Sequence, residues 1–580
     1  MATGDPGLDP ELDLALSLAP GGSDRLTLPC FLEDVVERFA SRVALRFDDV
    51  DVTYSGLADS SSALAAALVE AGVERGDRVA LLIANRPEWA VAFFAAAHVG
   101  AIVVPVNTFA TPDEREYILD HADARVLLMQ QHLAGRDFVA ELQTSHPELA
   151  SAKPGELSLA RVPSLRRIVC LDTREATAWP SAIEGWSSFV ARASADARTC
   201  ADAVAAGVAP TDDGLLIYTS GTTDRPKGVL HAHRAAVIQS WRFAEMLGLV
   251  TEDVIYTAQP FFWTAGISMS LGATLAVGAV LLVQEVFEPG AALDCVERER
   301  ATTVHAWVHQ EKAMAEHPSA AGRDFEALHR VEFDSPLAPL AGLEEDVWGI
   351  HASYGMTETF TLVSALPTWA SAEDRTRNSG VALPGMEIRI VDPETGRALG
   401  VDEPGEVIVR GVTLMKGYWK VPLEHALDAD GFFHTGDGGR IDARGRLHWT
   451  GRLSGILKTG GANVSPLEVE KSVADLPGVR AAIAVGVPHP TLGEAIVLCV
   501  VPTAGSTVDL DAVRARSRER LAAYKVPREV LIVDEADAPT TGTQKLRSDA
   551  LRTLAEGRLS AGRVEIAGHV YAPKDEGERE

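Results

Sequence analysis

Between residues 78 and 129 the chain alternates strand-like apolar runs with helical stretches, and this alternation limits the fold more than any other feature. Residues 78–85 (RVALLIAN) are an apolar run of strand length. Residues 87–100 (PEWAVAFFAAAHVG) open with Pro and close with Gly, as a helix does. Residues 101–106 return to strand texture, 112–123 read as a helix opened by Pro and acidic residues, and 124–129 are a third strand. Strands joined through helices run parallel, and a parallel sheet is covered on both faces. The prediction is therefore an α/β domain of layered βαβ-type sheets.

The same logic governs residues 254–284, which contain no Asp, Glu, Lys or Arg. By length alone the stretch could span a bilayer. It also holds Gln259, Pro260, Thr264, Ser268, Ser270 and Thr274, and acidic Asp253 and Glu285 sit at its edges instead of basic clusters. A buried strand–loop–helix–strand is predicted, not a membrane span.

Residues 143–163, with several Pro, Ser, Ala and Gly, read as a surface insertion or long loop. Beyond residue 451 the texture changes. Residues 465–476 predict a helix with Ser465 as N-cap and Glu468 three residues on. Short strands follow at 479–487 and 495–501, then an Arg-rich helix at 508–524. This is the pattern of a small α+β domain. The expected organisation is a flexible lead-in over 1–26, a large N-terminal domain over 27–451, and a mobile C-terminal domain over 452–580 with a hinge near 455.

Charge narrows the function. Asp and Glu total 82 against 53 Lys and Arg, a net charge of −29. Such a surface repels nucleic-acid backbones and anionic lipid, so neither is the expected partner. An anionic small ligand must be held by a local site. The five cysteines lack C-x-x-C spacing, which argues against a disulfide framework and against a Cys-based zinc site. A zinc site from His305 and His309 lacks a third ligand and is set aside. A cytoplasmic protein is expected.

Residues 215–228 (LLIYTSGTTDRPKG) carry the strongest chemical signal. An apolar strand runs into a loop of Ser, Thr and Gly ending in Pro-Lys-Gly. Small residues let backbone N–H groups approach an anion, hydroxyls add donors, and Lys227 supplies a point charge. The Walker A spacing is absent.

This loop resembles the phosphate loop of the adenylate-forming enzymes: acyl-CoA synthetases, luciferases and peptide-synthetase adenylation domains. The resemblance continues in order through 354–358 (YGMTE), 433–437 (FHTGD), 451–470 and 539–546 (PTTGTQKL). It implies an acyl-CoA synthetase that uses ATP, Mg²⁺ and coenzyme A to join a carboxylic acid to a thiol, with AMP and pyrophosphate released. By resemblance, Thr219, Ser220, Gly221, Thr222, Thr223 and Lys227 hold phosphates, and Ser335 and Tyr354 flank the adenine. Thr357 donates to the α-phosphate or the adenylate, and Glu358 is the Mg²⁺ ligand. Asp437 and Arg452 hold the ribose, Lys545 acts in adenylation, and Gly460 and Gly461 line the pantetheine route. Phe262, Trp263, Gly266 and His309 are implied in the acyl pocket, with Trp263 at a position where His is common. His305 and Glu311 fall in the same pocket-forming segment. A bulky alicyclic or aliphatic acid is expected in lipid or natural-product metabolism, and a homodimer is the assembly to test.

Four departures stand out: Asp224 in the phosphate loop, residues 333–337 (FDSPL) in the adenine loop, Ser353 before Tyr354, and Gly455 at the hinge. The phosphate-loop and adenine-loop changes bear on ATP use and raise one alternative, a ligase that adenylates weakly and takes an adenylate made elsewhere. A separate alternative is adenylation followed by transfer to a carrier protein; no carrier domain with a phosphopantetheine-serine motif is read in this chain.

Overall fold

The computed structural model describes residues 23–171, 179–219, 226–350, 352–453, 457–459, 462–464, 466–521, 525–534 and 548–572. The chain divides into two compact units. One comprises Met1–Ile388, Val409–Phe433 and Gly445–Leu447; the other comprises Arg389–Ile408, His434–Arg444 and His448–Glu580.

In the first unit the predicted alternation is realised. Strands Arg78–Leu82, Ile102–Pro105 and Ala124–Met129 run parallel, and helices Pro87–His98 and Pro112–His121 connect them. Thr111 and Glu114 close the second helix with a capping box. These strands are the centre of an eight-stranded sheet. Towards one edge lie Arg167–Cys170 and Ile183–Gly185; towards the other lie Asp213–Thr219, Lys227–Ala232 and the two-residue strand Gly417–Tyr418. A five-stranded sheet holds Thr303–His305, Val254–Thr257, Val280–Val283, Val43–Phe47 and Val50–Thr53 in that order. One core joins the two sheets, with Leu45 and Leu281 from one, Val79 and Leu215 from the other, and Trp89, Phe93 and Ile238 from intervening helices.

The uncharged segment folds as strand Val254–Thr257, a π-helix Gly266–Gly272, helix Ala273–Val277 and strand Val280–Val283. No helix among the described residues is long and apolar enough to cross a membrane. The π-helix was not foreseen. It starts where the backbone doubles back so tightly that a Cβ on Gly266 would lie 2.0 Å from the Pro260 carbonyl oxygen.

The 143–163 segment is a long loop from residue 151 onward, one of the two forms expected, but it is not a surface insertion. It begins in helix Phe138–Ser145 and the 3₁₀ turn Pro147–Ala150, and then buries Leu149, Leu157, Leu159 and Val162 against the eight-stranded sheet. Apolar anchors without regular spacing leave no periodic signal. Ser23–Arg25, placed in the lead-in, forms a 3₁₀ turn whose Arg25 pairs with Glu33 and Asp34.

The second unit has an antiparallel pair, Val479–His489 and Gly493–Pro502, with Glu529–Ile532 parallel to the latter. Helices Leu510–Arg520 and Ser548–Gly562 accompany it. Helix Pro466–Lys471 is shorter than the 465–476 read from sequence; its cap position Ser465 lies outside the described residues. Three of the four arginines of Leu510–Arg520 are partnered: Arg514 with Glu529, Arg516 and Arg520 with Asp475. None of the five cysteines forms a disulfide.

Candidate active site

The strand of the phosphate-loop motif, Asp213–Thr219, forms an antiparallel hairpin with Lys227–Ala232, and Thr219 stands opposite Lys227. Residues 220–225, which include Ser220, Gly221, Thr222, Thr223 and Asp224, lie outside the described residues. The last described pair on either side of them is Thr219 and Lys227. Lys227 is exposed, and its Nζ sits 5.0 Å from the centroid of the Tyr418 ring. The Tyr418 hydroxyl donates to Glu358 Oε1 at 2.8 Å. Strand Gly417–Tyr418 pairs with Lys227–Ala232, Val229 opposite Tyr418, and that pairing delivers the phenol to this place. A lysine ammonium, a phenol and a half-exposed carboxylate thus stand together at the mouth of the loop.

Glu358 is presented by a short, heavily braced turn. Strand Ser353–Met356 carries buried Tyr354, the 3₁₀ turn Thr357–Thr359 follows, and strand Thr361–Ala365 returns antiparallel. The fully buried His231 donates from Nε2 to the Thr357 carbonyl at 2.8 Å and sets its ring edge-on to Phe360, 5.0 Å between centroids. Burial lowers this imidazole to about 3, so it is neutral at ordinary pH and can keep a single N–H for that bond. Gln239 donates to the carbonyls of Thr359 and Leu362 at 3.2 and 2.6 Å. Met415 N–H donates to the Glu358 carbonyl at 2.7 Å. The turn closes so tightly that a Cβ at Gly355 would lie 1.6 Å from the Thr361 carbonyl oxygen, which is why YGMTE needs its glycine.

The acyl-pocket residues form an aromatic row. Buried Phe262 meets Phe109 edge-on at 5.5 Å and Trp263 at 5.1 Å, and Trp263 meets Trp307 at 6.0 Å. Trp263 is half-buried and both ends of the row reach solvent, so Trp263 is not plain core. Below the row is a buried polar network. The Thr257 hydroxyl donates to Ser270 Oγ at 2.9 Å, and His305 Nδ1 lies 3.3 Å from the same oxygen. Asn85 holds the Gln259 carbonyl and the Phe261 N–H at 2.8 and 2.9 Å. Ser335 is buried, and its hydroxyl donates to Glu311 Oε2 at 2.8 Å. Burial raises the Glu311 carboxyl, and the charges of Glu332 and Asp334 act in the same direction against the Ser335 bond.

Sequence reading missed Tyr418, Phe109 and Trp307. The remaining candidates are not brought to this group by anything described. Asp437 is buried in strand Phe433–Ile441 of the second unit, its N–H donating to Thr435 Oγ1 at 3.0 Å. Arg452 and His309 fall within described elements, but their side chains lie outside the described residues, as do Gly455, Gly460, Gly461 and Lys545 entirely. No group of three or more His, Cys, Asp or Glu side chains among the described residues is arranged to hold a metal ion.

Three buried histidines carry a pH consequence. Burial lowers His231 to about 3, and His233 and His305 to about 4. Between those values and the ordinary 6.5 the unfolded chain binds protons that the native chain does not. Stability should therefore fall as pH drops through that window. Melting temperatures taken from pH 7 down to pH 4 check this, and His305→Asn should flatten the slope.

The model of the AMP-binding enzyme family matches residues 32–419, and that of the AMP-binding enzyme C-terminal domain matches 468–545. A (7a-methyl-1,5-dioxo-octahydroindenyl)propanoyl:CoA ligase of Mycobacterium tuberculosis is 33% identical, over 92% of this chain and 99% of that one. An indoleacetate–CoA ligase of Aromatoleum aromaticum is 30% identical over 90% and 98%. Among solved structures, ATP-bound MatB from Rhodopseudomonas palustris superposes with a TM-score of 0.73 at 25% identity, covering 91% of this chain and 99% of that one. The anthranilate CoA ligase AuaEII, in complex with anthranoyl-AMP, shares the fold with a TM-score of 0.75 at 24% identity, covering 91% and 97%.

Proposed function

Because the chain belongs to the AMP-binding enzyme family, we propose that it ligates a bulky, ring-bearing carboxylic acid to coenzyme A through an acyl-adenylate, releasing AMP and pyrophosphate. The observation that carries this reading is the grouping of Lys227, Tyr418 and Glu358 at the mouth of the Thr219–Lys227 hairpin. Curated relatives matching about nine-tenths of the chain are CoA ligases, which supports the reaction type.

The donor set suits a magnesium ion: Glu358 offers a hard carboxylate oxygen and is partnered by a neutral phenol. A bound Mg²⁺ would supply positive charge against the phosphates of ATP. The chain's own residues then do the following. Lys227 and the loop hydroxyls hold the β- and γ-phosphates. Thr357, fixed through its carbonyl by His231, donates to the α-phosphate. Asp437 accepts from the ribose hydroxyls and Arg452 donates to them. In the first step a carboxylate oxygen attacks the α-phosphorus and the bond to pyrophosphate breaks, with Lys545 stabilising the charge that builds there. In the second step the CoA thiol loses its proton and attacks the acyl carbon, and the C–O bond breaks to release AMP. Gly460 and Gly461 give the pantetheine arm a bare backbone to pass. Residues 27–451 and 452–580 are the working domains of this scheme, the second mobile about 455, and the cytoplasm, with its CoA pool, is the compartment.

The acid class follows from the aromatic row. Edges of Phe262, Trp263 and Trp307 offer apolar area to a ring system and no charge to hold an amino group. Trp263→Ala is expected to shift acid preference towards larger rings by about tenfold, with the Michaelis constant for ATP unchanged. A melting temperature that falls with no change in selectivity would assign Trp263 to packing alone. The whole reading is tested with a panel of ring-bearing acids. Each is scored separately for acid-dependent pyrophosphate exchange into ATP and for acyl-CoA formation, with light scattering reporting whether the enzyme is a homodimer. No acid supporting either reaction would overturn the proposal. Exchange without acyl-CoA would point to a carrier-protein acceptor instead.

A further inference from the structure

Two consecutive non-glycine residues after the Thr357–Thr359 turn hold positive φ, 51° at Phe360 and 102° at Thr361. A bulky ring and a β-branched side chain both disfavour that region, so their surroundings must hold them there. Phe360 is held by full burial against His231. Thr361 is held differently: its hydroxyl lies 2.9 Å from Ser268 Oγ. Ser268 has one hydroxyl proton, committed to the Thr264 carbonyl at 2.7 Å, so Thr361 is the donor.

Each end of this contact leads somewhere specific. Ser268 sits in the π-helix Gly266–Gly272, which follows directly on the aromatic row; the Ile267 N–H donates to the Trp263 carbonyl at 3.1 Å. Single π-turns are rare and concentrate at functional sites. At the other end, the Thr361 carbonyl lies 3.1 Å from Thr359 Oγ1, whose single proton is shared with the Met356 carbonyl at 3.1 Å, and it fills the space over Gly355. One hydroxyl contact therefore joins the acyl-pocket helix to the turn that carries Thr357 and Glu358.

We propose that the Thr361 hydroxyl, donating to Ser268, is a positioning contact of the ligase reaction: it holds the Thr357–Glu358 turn against the acyl-pocket helix, so that an acid in the pocket tightens the site for MgATP. The inference rests on the ligase reading above. In this role Thr361 and Ser268 act through the turn. Because the coupling is reciprocal, MgATP tightens acid binding by the same factor.

The test uses the full chain and the variants Thr361→Val, Thr361→Ser and Ser268→Ala. Val keeps the size and β-branching of Thr and removes only the donor; Ser keeps the donor. MgATP binding is titrated with and without a saturating primary alcohol corresponding to the best acid of the panel, and pyrophosphate-exchange rates are measured alongside. In the unmodified enzyme the alcohol should tighten MgATP at least about fivefold. In Thr361→Val and Ser268→Ala that factor should fall below about twofold, exchange kcat should drop about tenfold, and the KM for acid at saturating MgATP should rise by the coupling factor that is lost. Thr361→Ser should restore both, a recovery that a purely structural role would not produce. Amide hydrogen exchange over residues 356–361 reads the turn without turnover; it should rise about tenfold in Thr361→Val and not in Thr361→Ser. Unaltered coupling and unaltered amide exchange in Thr361→Val would overturn the proposal. An unmodified enzyme that activates no acid would overturn the ligase reading instead, and amide exchange would still decide the role of the contact.

Discussion

Lys545→Ala is expected to cut acid-dependent pyrophosphate exchange by two to three orders of magnitude and to leave acyl-CoA formation from synthetic acyl-adenylate nearly intact. Charge builds at the α-phosphorus only while the carboxylate attacks, so a cation aimed there lowers the first barrier and not the second. Losing one such contact typically costs about 3–4 kcal/mol. The two half-reactions are measured on the same preparation, so a folding defect would reduce both. Equal losses in the two assays would remove Lys545 from the role assigned to it.

Glu358→Gln should lower kcat/KM for ATP by about a hundredfold, since the amide keeps the shape of the side chain and removes the charge that a hard cation needs. The Tyr418 hydroxyl can still donate to the amide oxygen, so the turn should keep its fold and melting temperature should move little. Raising Mg²⁺ should recover part of the loss. Thioester formation from the pre-formed adenylate, which has shed the β- and γ-phosphates, should suffer less. A variant with unchanged magnesium dependence would show that Glu358 does not meet the ion.

Much of this was legible in the chain. The strands at 78–82, 102–105 and 124–129 announced themselves because buried parallel strands are apolar along their whole length. The phosphate loop was readable because phosphate chemistry requires small residues, hydroxyls and fixed charges in short order; YGMTE and the C-terminal motifs were readable only through their resemblance to a family. Other features were not, each for a physical reason. Tyr418 reaches Glu358 only because its two-residue strand pairs with Lys227–Ala232 across a wide sequence separation, and nothing near Tyr418 in the chain signals that. Phe109 and Trp307 join Phe262 and Trp263 from separate segments, so the aromatic row exists only in the fold. The positive φ at Phe360 and Thr361 contradicts what a ring and a β-branched residue prefer, and local propensity argues against it. The leucines at 149, 157 and 159 bury without any period.

The strand Gly417–Tyr418 also ends the eight-stranded sheet. The outer side of Lys227–Ala232 would otherwise present a row of unpaired backbone groups, a template on which another chain could dock and begin to aggregate. Lys416 N–H to the Leu230 carbonyl and Trp419 N–H to the Gly228 carbonyl, each at 2.7 Å, seal that edge, and the covering strand is too short to seed an intermolecular sheet itself. Edge protection and the proposed nucleotide site would therefore draw on the same few residues. A library randomised at 416–419 and sorted by soluble yield would discard members for clumping, whatever their competence towards ATP, and its survivors would report on colloidal behaviour before they reported on the site.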